Sequence, residues 1–205
     1  MKILITAGPT HEPIDPVRYI GNRSSGQMGA ALANAATGRG HNVTLVLGPA
    51  TAPMPENVKR VDVLSSNDMR HAVLNLFPQH DLLIMAAAVA DFRPKIVRHG
   101  KIERGPELLV ELVPTEDILA AVGKIKQARQ RTVGFSLVER GDLVRSREKL
   151  VRKKLDLIVY NPLDTMSSTT IESILLYPDG RSEELPMQAK PQFAATLLLR
   201  CEALF

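Results

Sequence analysis

The stretch from Ile3 to Gly29, ILITAGPTHEPIDPVRYIGNRSSGQMG, does most to restrict what this chain can fold into. Lys2 to Ala7 is short, apolar and β-branched, and a glycine follows it, which reads as a buried strand. Gly8, Pro9, Pro13 and Pro16 then punctuate a loop. Beyond Asn22-Arg23-Ser24-Ser25-Gly26, the positions Met28, Ala31, Leu32 and Ala35 recur at helical spacing, with Ser24 or Ser25 as the expected N-cap. A strand, a Gly/Ser-rich loop and a helix N-terminus together make an anion site, because unpaired N–H groups and the helix dipole face its occupant. The loop interposes about fifteen residues, too many for a dinucleotide fingerprint, and long ordered loops are usually functional. A plain βα connection with solvated polar residues is the bland alternative. The Asn22 amide beside two hydroxyls favours a ligand site.

The rest of the chain alternates in the same way. His41 to Leu47 reads as a second strand after the helix stop Gly38-Arg39-Gly40, implying a right-handed βαβ crossover and a parallel sheet. Val58 to Val63 is a third strand, and Ser66 or Asn67 caps a helix running to about Phe77. Asp81 to Ala86 is nearly all apolar, as a central parallel strand should be. It runs into Ala86-Ala87-Ala88-Val89-Ala90-Asp91, small residues that let a ligand lie against backbone at the sheet edge where open α/β folds bind. Asp91 is placed to accept from ribose hydroxyls, to help hold Mg²⁺, or merely to cap a turn. Residues 95–106 have no period that buries anything and read as a mobile flap, about 93–106, carrying Lys95, Arg98, Lys101 and Arg104.

Glu107 to Val113 is expected to be a strand, and Thr115 to cap a helix from Ile118 to about Ala128. Arg131 to Ser136 is a strand containing Phe135. Asp142 to Lys154 is a basic helix on which Lys149 and Lys153 share a face. Leu155 to Tyr160 is a strand ending at Asn161. Thr170 to Tyr177 and Ser182 to Leu185 form a hairpin around Asp179-Gly180, and the last helix runs from about Lys190 to Leu204.

Composition excludes several classes. A net charge of +4 suits an anionic small molecule at least as well as nucleic acid, and 4% aromatics with no Trp offers little for base stacking. The single cysteine, Cys201, rules out a disulfide within the chain and points to a reducing compartment; its apolar helical setting makes it core filler. The five histidines lack metal-ligand spacing, and neither G-x-S-x-G nor a Walker A sequence occurs. No apolar run is long enough for a membrane span and Met1 leads directly into a core-like strand, so a cytoplasmic protein is expected.

TAGPTHEPIDPVRYIGNRSSGQMG resembles the opening of the phosphopantothenate–cysteine ligase family, whose pattern reads TAGGTxEPxDPVRxIxNxSSGxMG, and AAVADFRP resembles that family's AAVADYRP. The resemblance covers nearly the whole chain, densest at Ile3–Gly29 and Met85–Lys101. It implies an anion pocket from Gly8, Ser24, Ser25 and Gly26, a nucleotide lying along Met85, Ala86 and Ala87, and a polar nucleotide contact at Asp91. By the same resemblance Lys101, Lys149 and Lys153 meet triphosphate, Lys101 as a catalytic residue neutralising phosphate charge in the transition state; Thr115, Glu116, Asp117 and Ile118 border the nucleotide, and Phe135 sits beside the base. Asn22, Ala87, Ala88 and Asn161 then contact substrate, Asn161 through the substrate phosphate or a pantetheine-like amide, with Asn22 holding an acyl-cytidylate. The implied reaction joins 4′-phosphopantothenate to L-cysteine. CTP activates the carboxylate with loss of pyrophosphate, and the cysteine amine then displaces CMP; Mg²⁺ is held mainly by the nucleotide phosphates. Glu103 and Arg104 replace a Lys-Lys pair, Thr115 and Glu116 replace Asn-Pro, and Pro162 replaces Asp.

The expected fold is therefore an α/β, three-layer Rossmann-like sandwich in one domain, 1–205, with a mostly parallel sheet. An appended antiparallel element, either the Glu107 strand or the Ile171–Leu185 hairpin, serves a homodimer, and a decarboxylase is expected as a separate partner or domain. The chain is either a stand-alone synthetase or one cut from a bifunctional protein. Two competitors stand beside this reading. A short-chain NAD(P)-dependent reductase needs Tyr-x-x-x-Lys, which none of Tyr19, Tyr160 and Tyr177 provides. A non-catalytic nucleotide-binding module would explain the departures at Glu103, Thr115 and Pro162.

Overall fold

The computed structural model describes residues 1–163 and 168–205. The first strand, β1 (Lys2–Ala7), is buried from Ile3 onward. Two three-residue strands inside the long loop, β2 (His11–Pro13) and β3 (Tyr19–Gly21), pair antiparallel. Helix α1 (Gln27–Gly38) leads into β4 (Asn42–Leu47) and β5 (Lys59–Asp62). Helix α2 (Ser66–Leu76) precedes β6 (Leu82–Met85). Strands β7 (Phe92–Pro94) and β8 (Leu112–Pro114) pair antiparallel outside the main sheet. Next come α3 (Ile118–Ile125), β9 (Arg131–Val138), α4 (Leu143–Arg152) and β10 (Leu157–Pro162). The chain closes with β11 (Thr170–Leu176), β12 (Ser182–Ala189) and α5 (Lys190–Glu202).

The main sheet has eight strands in the order β12-β11-β10-β9-β6-β1-β4-β5. From β10 to β5 every pair is parallel; β11 and β12 add antiparallel at one edge. Strand alternation explains the three layers. Ile3, Ile5 and Ala7 face one way, onto Leu32, Ala33 and Ala36 of α1 and Phe193, Leu197 and Leu198 of α5. Leu4 faces the other way, into a core with Met69 and Val73 of α2, Val122 of α3 and Leu150 of α4. Cys201 is fully buried in the first core, and that desolvation pushes its thiol pKa far up, as inert filler should be. The parallel strands reverse direction of winding between β1 and β6, which opens a crevice beyond the strand C-termini.

Three expected caps are corrected. Gly26, at φ 84°, caps α1 in place of Ser24 or Ser25, because the chain must enter the helix through a left-handed turn. There a Cβ would stand 2.8 Å from Ala50 Cβ. Ser65 caps α2 through a reciprocal bond set with Asp68, displacing Ser66 and Asn67. Asp117 caps α3 by accepting from Ala120 N, so Thr115 serves elsewhere. The Glu107–Val113 strand shrinks to Leu112–Pro114, because its first residues find no neighbouring strand.

Candidate functional site

A cavity of about 650 Å³ lies beyond the C-termini of β1, β6, β9 and β10, where the winding reverses. The loop entering α1, Asn22 to Met28, forms one side, and the run Met85 to Asp91 forms the floor. The Asn22 amide donates to the carbonyl oxygens of both Ala88 and Val89, each at 3.1 Å, so the two motifs meet directly.

Short side chains on β1 and its loop stitch the alanine run in place. Ala87 N–H donates to Thr6 Oγ1 at 3.1 Å, Ala88 N–H to the Gly8 carbonyl at 2.9 Å, and Ala90 N–H to Thr10 Oγ1 at 3.0 Å. Thr115 Oγ1 donates to the Ala90 carbonyl at 2.6 Å. Those N–H groups are spent on the protein, so the run acts as a small-residue wall and gives an anion little. Amides for an anion come instead from the start of α1, whose N-cap supplies no side-chain acceptor. Gly29 lets that helix approach: a Cβ there would stand 2.2 Å from Ala7 Cβ.

The opposite wall is charged. Lys149 Nζ donates to Ser136 Oγ at 3.3 Å, and Ser136 Oγ is also bonded to Ser146 Oγ. Burial lowers the Lys149 pKa, Lys153 and Arg145 push the same way, and Asp91 opposes them. Lys153 Nζ lies 3.0 Å from Asp117 Oδ2, so its charge is already half answered. Glu116 pairs with Arg70 at 2.8 Å. Among the described residues no group of three or more His, Cys, Asp or Glu could hold a metal ion. Among the described residues Asp91 is the cavity carboxylate with no cation at ion-pair distance, a single oxygen ligand of the kind magnesium uses beside phosphates. Asn161 Oδ1, at the end of β10, is buried with no hydrogen-bond partner among the described residues, and Phe135 forms part of the wall from β9.

The structure therefore gathers Asn22, Ser24, Ser25, Gly26, Met85, Ala86, Ala87, Ala88, Asp91, Thr115, Glu116, Asp117, Ile118, Phe135, Lys149, Lys153 and Asn161 around one space. Gly8 and Lys101 are not in that lining. Gly8 lies behind it, with its φ of 78° and its nitrogen 3.4 Å from where a Gly26 Cβ would stand. Lys101 is exposed on the flap segment, which is tied elsewhere. Asp15 accepts from Ile102 N at 3.1 Å and from Val17 N and Arg18 N at 2.8 Å, and Arg18 donates twice to the Ile102 carbonyl at 3.2 Å. Arg98 N donates to the Ile14 carbonyl at 2.9 Å. Burial alone would raise the Asp15 pKa; the three N–H donors and the Arg18 guanidinium outweigh it and hold the carboxyl at about 2. The segment read as an untethered flap is thus clasped by the DPVR residues, a role the sequence reading gave them none of.

Sequence reasoning also missed Lys190 and Gln27, which line the cavity from the starts of α5 and α1. The sequence marks Lys190 only as a helix start. Its signal was a cation at the positive end of a helix dipole, where it is disfavoured. A second hollow of about 640 Å³ at the opposite sheet edge is lined by Lys2, Asn42, Asp81 and Arg129, but open parallel sheets bind at the strand C-termini.

Comparison with known proteins gives one consistent answer. The family model described as DNA/pantothenate metabolism flavoprotein C-terminal domain matches residues 1–204. The chain is 43% identical over 206 residues to the coenzyme A biosynthesis bifunctional protein CoaBC of Escherichia coli K12, covering 97% of this chain and 50% of that protein. It is 49% identical over 164 residues to a protein named cysteine/cysteine sulfinic acid decarboxylase from an unknown prokaryotic organism, covering 79% of this chain and 46% of that one. The chain spans about half the length of the curated relatives it matches. The crystal structure of the C-terminal domain of a CoaBC protein superposes with a TM-score of 0.86 at 38% identity, covering 99% of this chain and 94% of that one.

Proposed function

Because the chain belongs to the DNA/pantothenate metabolism flavoprotein C-terminal domain family, we propose that it is a phosphopantothenate–cysteine ligase, joining 4′-phosphopantothenate to L-cysteine at the expense of CTP. The observation that carries this reading is the Asn22 amide bridging to Ala88 and Val89, which closes the anion loop onto the nucleotide wall opposite Lys149 and Lys153.

In the first half a carboxylate oxygen of 4′-phosphopantothenate attacks the α-phosphorus of CTP. The bond to the bridging oxygen breaks, and pyrophosphate leaves. The start of α1, Lys149 and Lys153 balance the triphosphate, and Phe135 takes the base. Magnesium would be held mainly by the nucleotide phosphates with help from Asp91, and would supply further charge neutralisation. In the second half the cysteine amine attacks the acyl carbon, the acyl–phosphate bond breaks, CMP departs, and the amine proton passes to water. Neither half needs a protein nucleophile, since alignment and charge neutralisation supply the acceleration. That suits a chain whose single thiol is buried in the core. Lys101, exposed on the clasped segment outside the cavity lining, neutralises triphosphate charge in the first half.

We also read the chain as a homodimer in the cytoplasm. Phe92, Ile96, Leu108, Leu109 and Leu112 expose apolar surface on the arm from 92 to 114, with Leu109 85% exposed, and a second copy would cover it. No described helix is long and apolar enough to cross a membrane. The chain forms one domain, and a decarboxylase domain or partner would supply its substrate.

Pyrophosphate release tests the reading. Release should require 4′-phosphopantothenate and CTP, exceed that with ATP, and proceed to amide only with L-cysteine. No nucleotide-dependent release, or turnover of NADPH instead, overturns it.

A further inference from the structure

The cavity holds three lysines, and they are not equivalent. Lys153 has Asp117 at 3.0 Å, and Lys149 feels Asp91. Lys190 has neither: its one side-chain contact among the described residues is Gln27 Oε1, at 3.4 Å. It is half-buried at the first position of α5, a 13-residue helix with no side-chain cap. A cation there opposes the helix dipole, and burial lowers its pKa, with no carboxylate among the described residues to offset it. Position, desolvation and missing counter-charge all weigh against a lysine, and such local inconsistencies belong to functional sites.

Lys190 also lies on the other side of the sheet from the phosphate lysines. Helices α1 and α5 pack on one face, and α3 and α4 on the other. The cavity therefore has a second cationic end, distinct from Lys149 and Lys153. The same cavity is lined by Asn161, whose buried Oδ1 has no donor among the described residues. An occupant of this end must bring an anion for Lys190 and an N–H donor for Asn161. A phosphate dianion supplies only the first, and in 4′-phosphopantothenate the amide N–H lies four carbons away from the phosphate ester. An α-amino acid carries both on one carbon.

Resting on the ligase reading above, we propose that Lys190, Gln27 and Asn161 form the acceptor amino-acid subsite: Lys190 and Gln27 take the α-carboxylate, and Asn161 Oδ1 accepts from the amine. Lys190 is then the residue that selects cysteine over its decarboxylated analogue.

Cysteamine, which lacks only the carboxylate, is the probe. With the full-length chain, 4′-phosphopantothenate and CTP, the ratio of kcat/KM for L-cysteine to that for cysteamine is measured for wild type, Lys190→Gln and Lys190→Arg. Lys190→Gln should lower the ratio by about tenfold or more, the worth of a charge-assisted hydrogen bond, and Lys190→Arg should restore most of it. An unchanged ratio in Lys190→Gln overturns the assignment. So does a ratio that holds while discrimination between 4′-phosphopantothenate and pantothenate collapses, which would give Lys190 to the 4′-phosphate. Wild type without CTP-dependent pyrophosphate release would instead sink the ligase reading itself, so the two failures are distinguishable.

Discussion

The run Ala86–Asp91 and the arm 92–114 are consecutive in sequence and are held in opposite ways. The run is sewn to β1 and its loop by Thr6, Gly8 and Thr10, to α3's leader by Thr115, and to the anion loop by Asn22. The arm has two three-residue strands and a Lys95–Glu111 pair in solvent, and it is held from outside by Asp15 and Arg18 at Ile102 and by the Ile14 carbonyl at Arg98 N–H. Satisfied buried polar groups fix a wall to a single geometry. An arm with little apolar burial and few anchors belongs to the low-stability end of the molecule. The contrast teaches that positioning in this cavity comes from its floor, while the arm that carries Lys101 is held by a separate clasp outside the lining.

Breaking the floor should cost most. Asn22→Asp sets a carboxylate against two carbonyl oxygens. Amide formation should fall by about 100-fold or more while one equivalent of pyrophosphate is still released, read by quenched-flow analysis of both products. Equal loss of both halves would deny Asn22 a separate role. Gly29→Ala forces a methyl onto Ala7 and should destabilise the fold by about 1–3 kcal/mol, seen in urea melts.

Loosening the arm should be local. Asp15→Asn should accelerate hydrogen exchange at Ile102 and leave Ala90 protected. The Asp15 carboxyl is held near 2, below the ordinary 3.8, so its clasp is fully present above about pH 4 and is lost as pH falls toward 2. Wild-type exchange at Ile102 should rise through that window ahead of exchange at Ala90. The smallest effect belongs to Lys95 and Glu111, both more than half exposed: removing either should leave the melting temperature unchanged within error.

The contrast also separates what the sequence disclosed from what it hid. The apolar runs of β1, β4 and β6, the basic helix and the Asp179-Gly180 hairpin were legible because period and burial are written residue by residue. The floor was legible through AAVAD and NRSSG, whose residue types a core does not require. The hairpin β2–β3 was hidden, since HEP and YIG are too short to carry a period. The caps slipped by one or two residues because Gly26, Ser65 and Asp117 compete with equally good polar neighbours, and only tertiary packing decides. Asp15 and Lys190 act across 87 and 163 residues of chain, a pairing no local pattern encodes.

Backbone amide spectra recorded while CTP is added test the central claim most directly. The account predicts shifts at Gln27–Gly29 at the start of α1 and at Phe135, with Ala87 and Ala90 moving less because their N–H groups are already bonded within the protein. Shifts centred on Lys2, Asp81 and Arg129, at the other edge of the sheet, would contradict it.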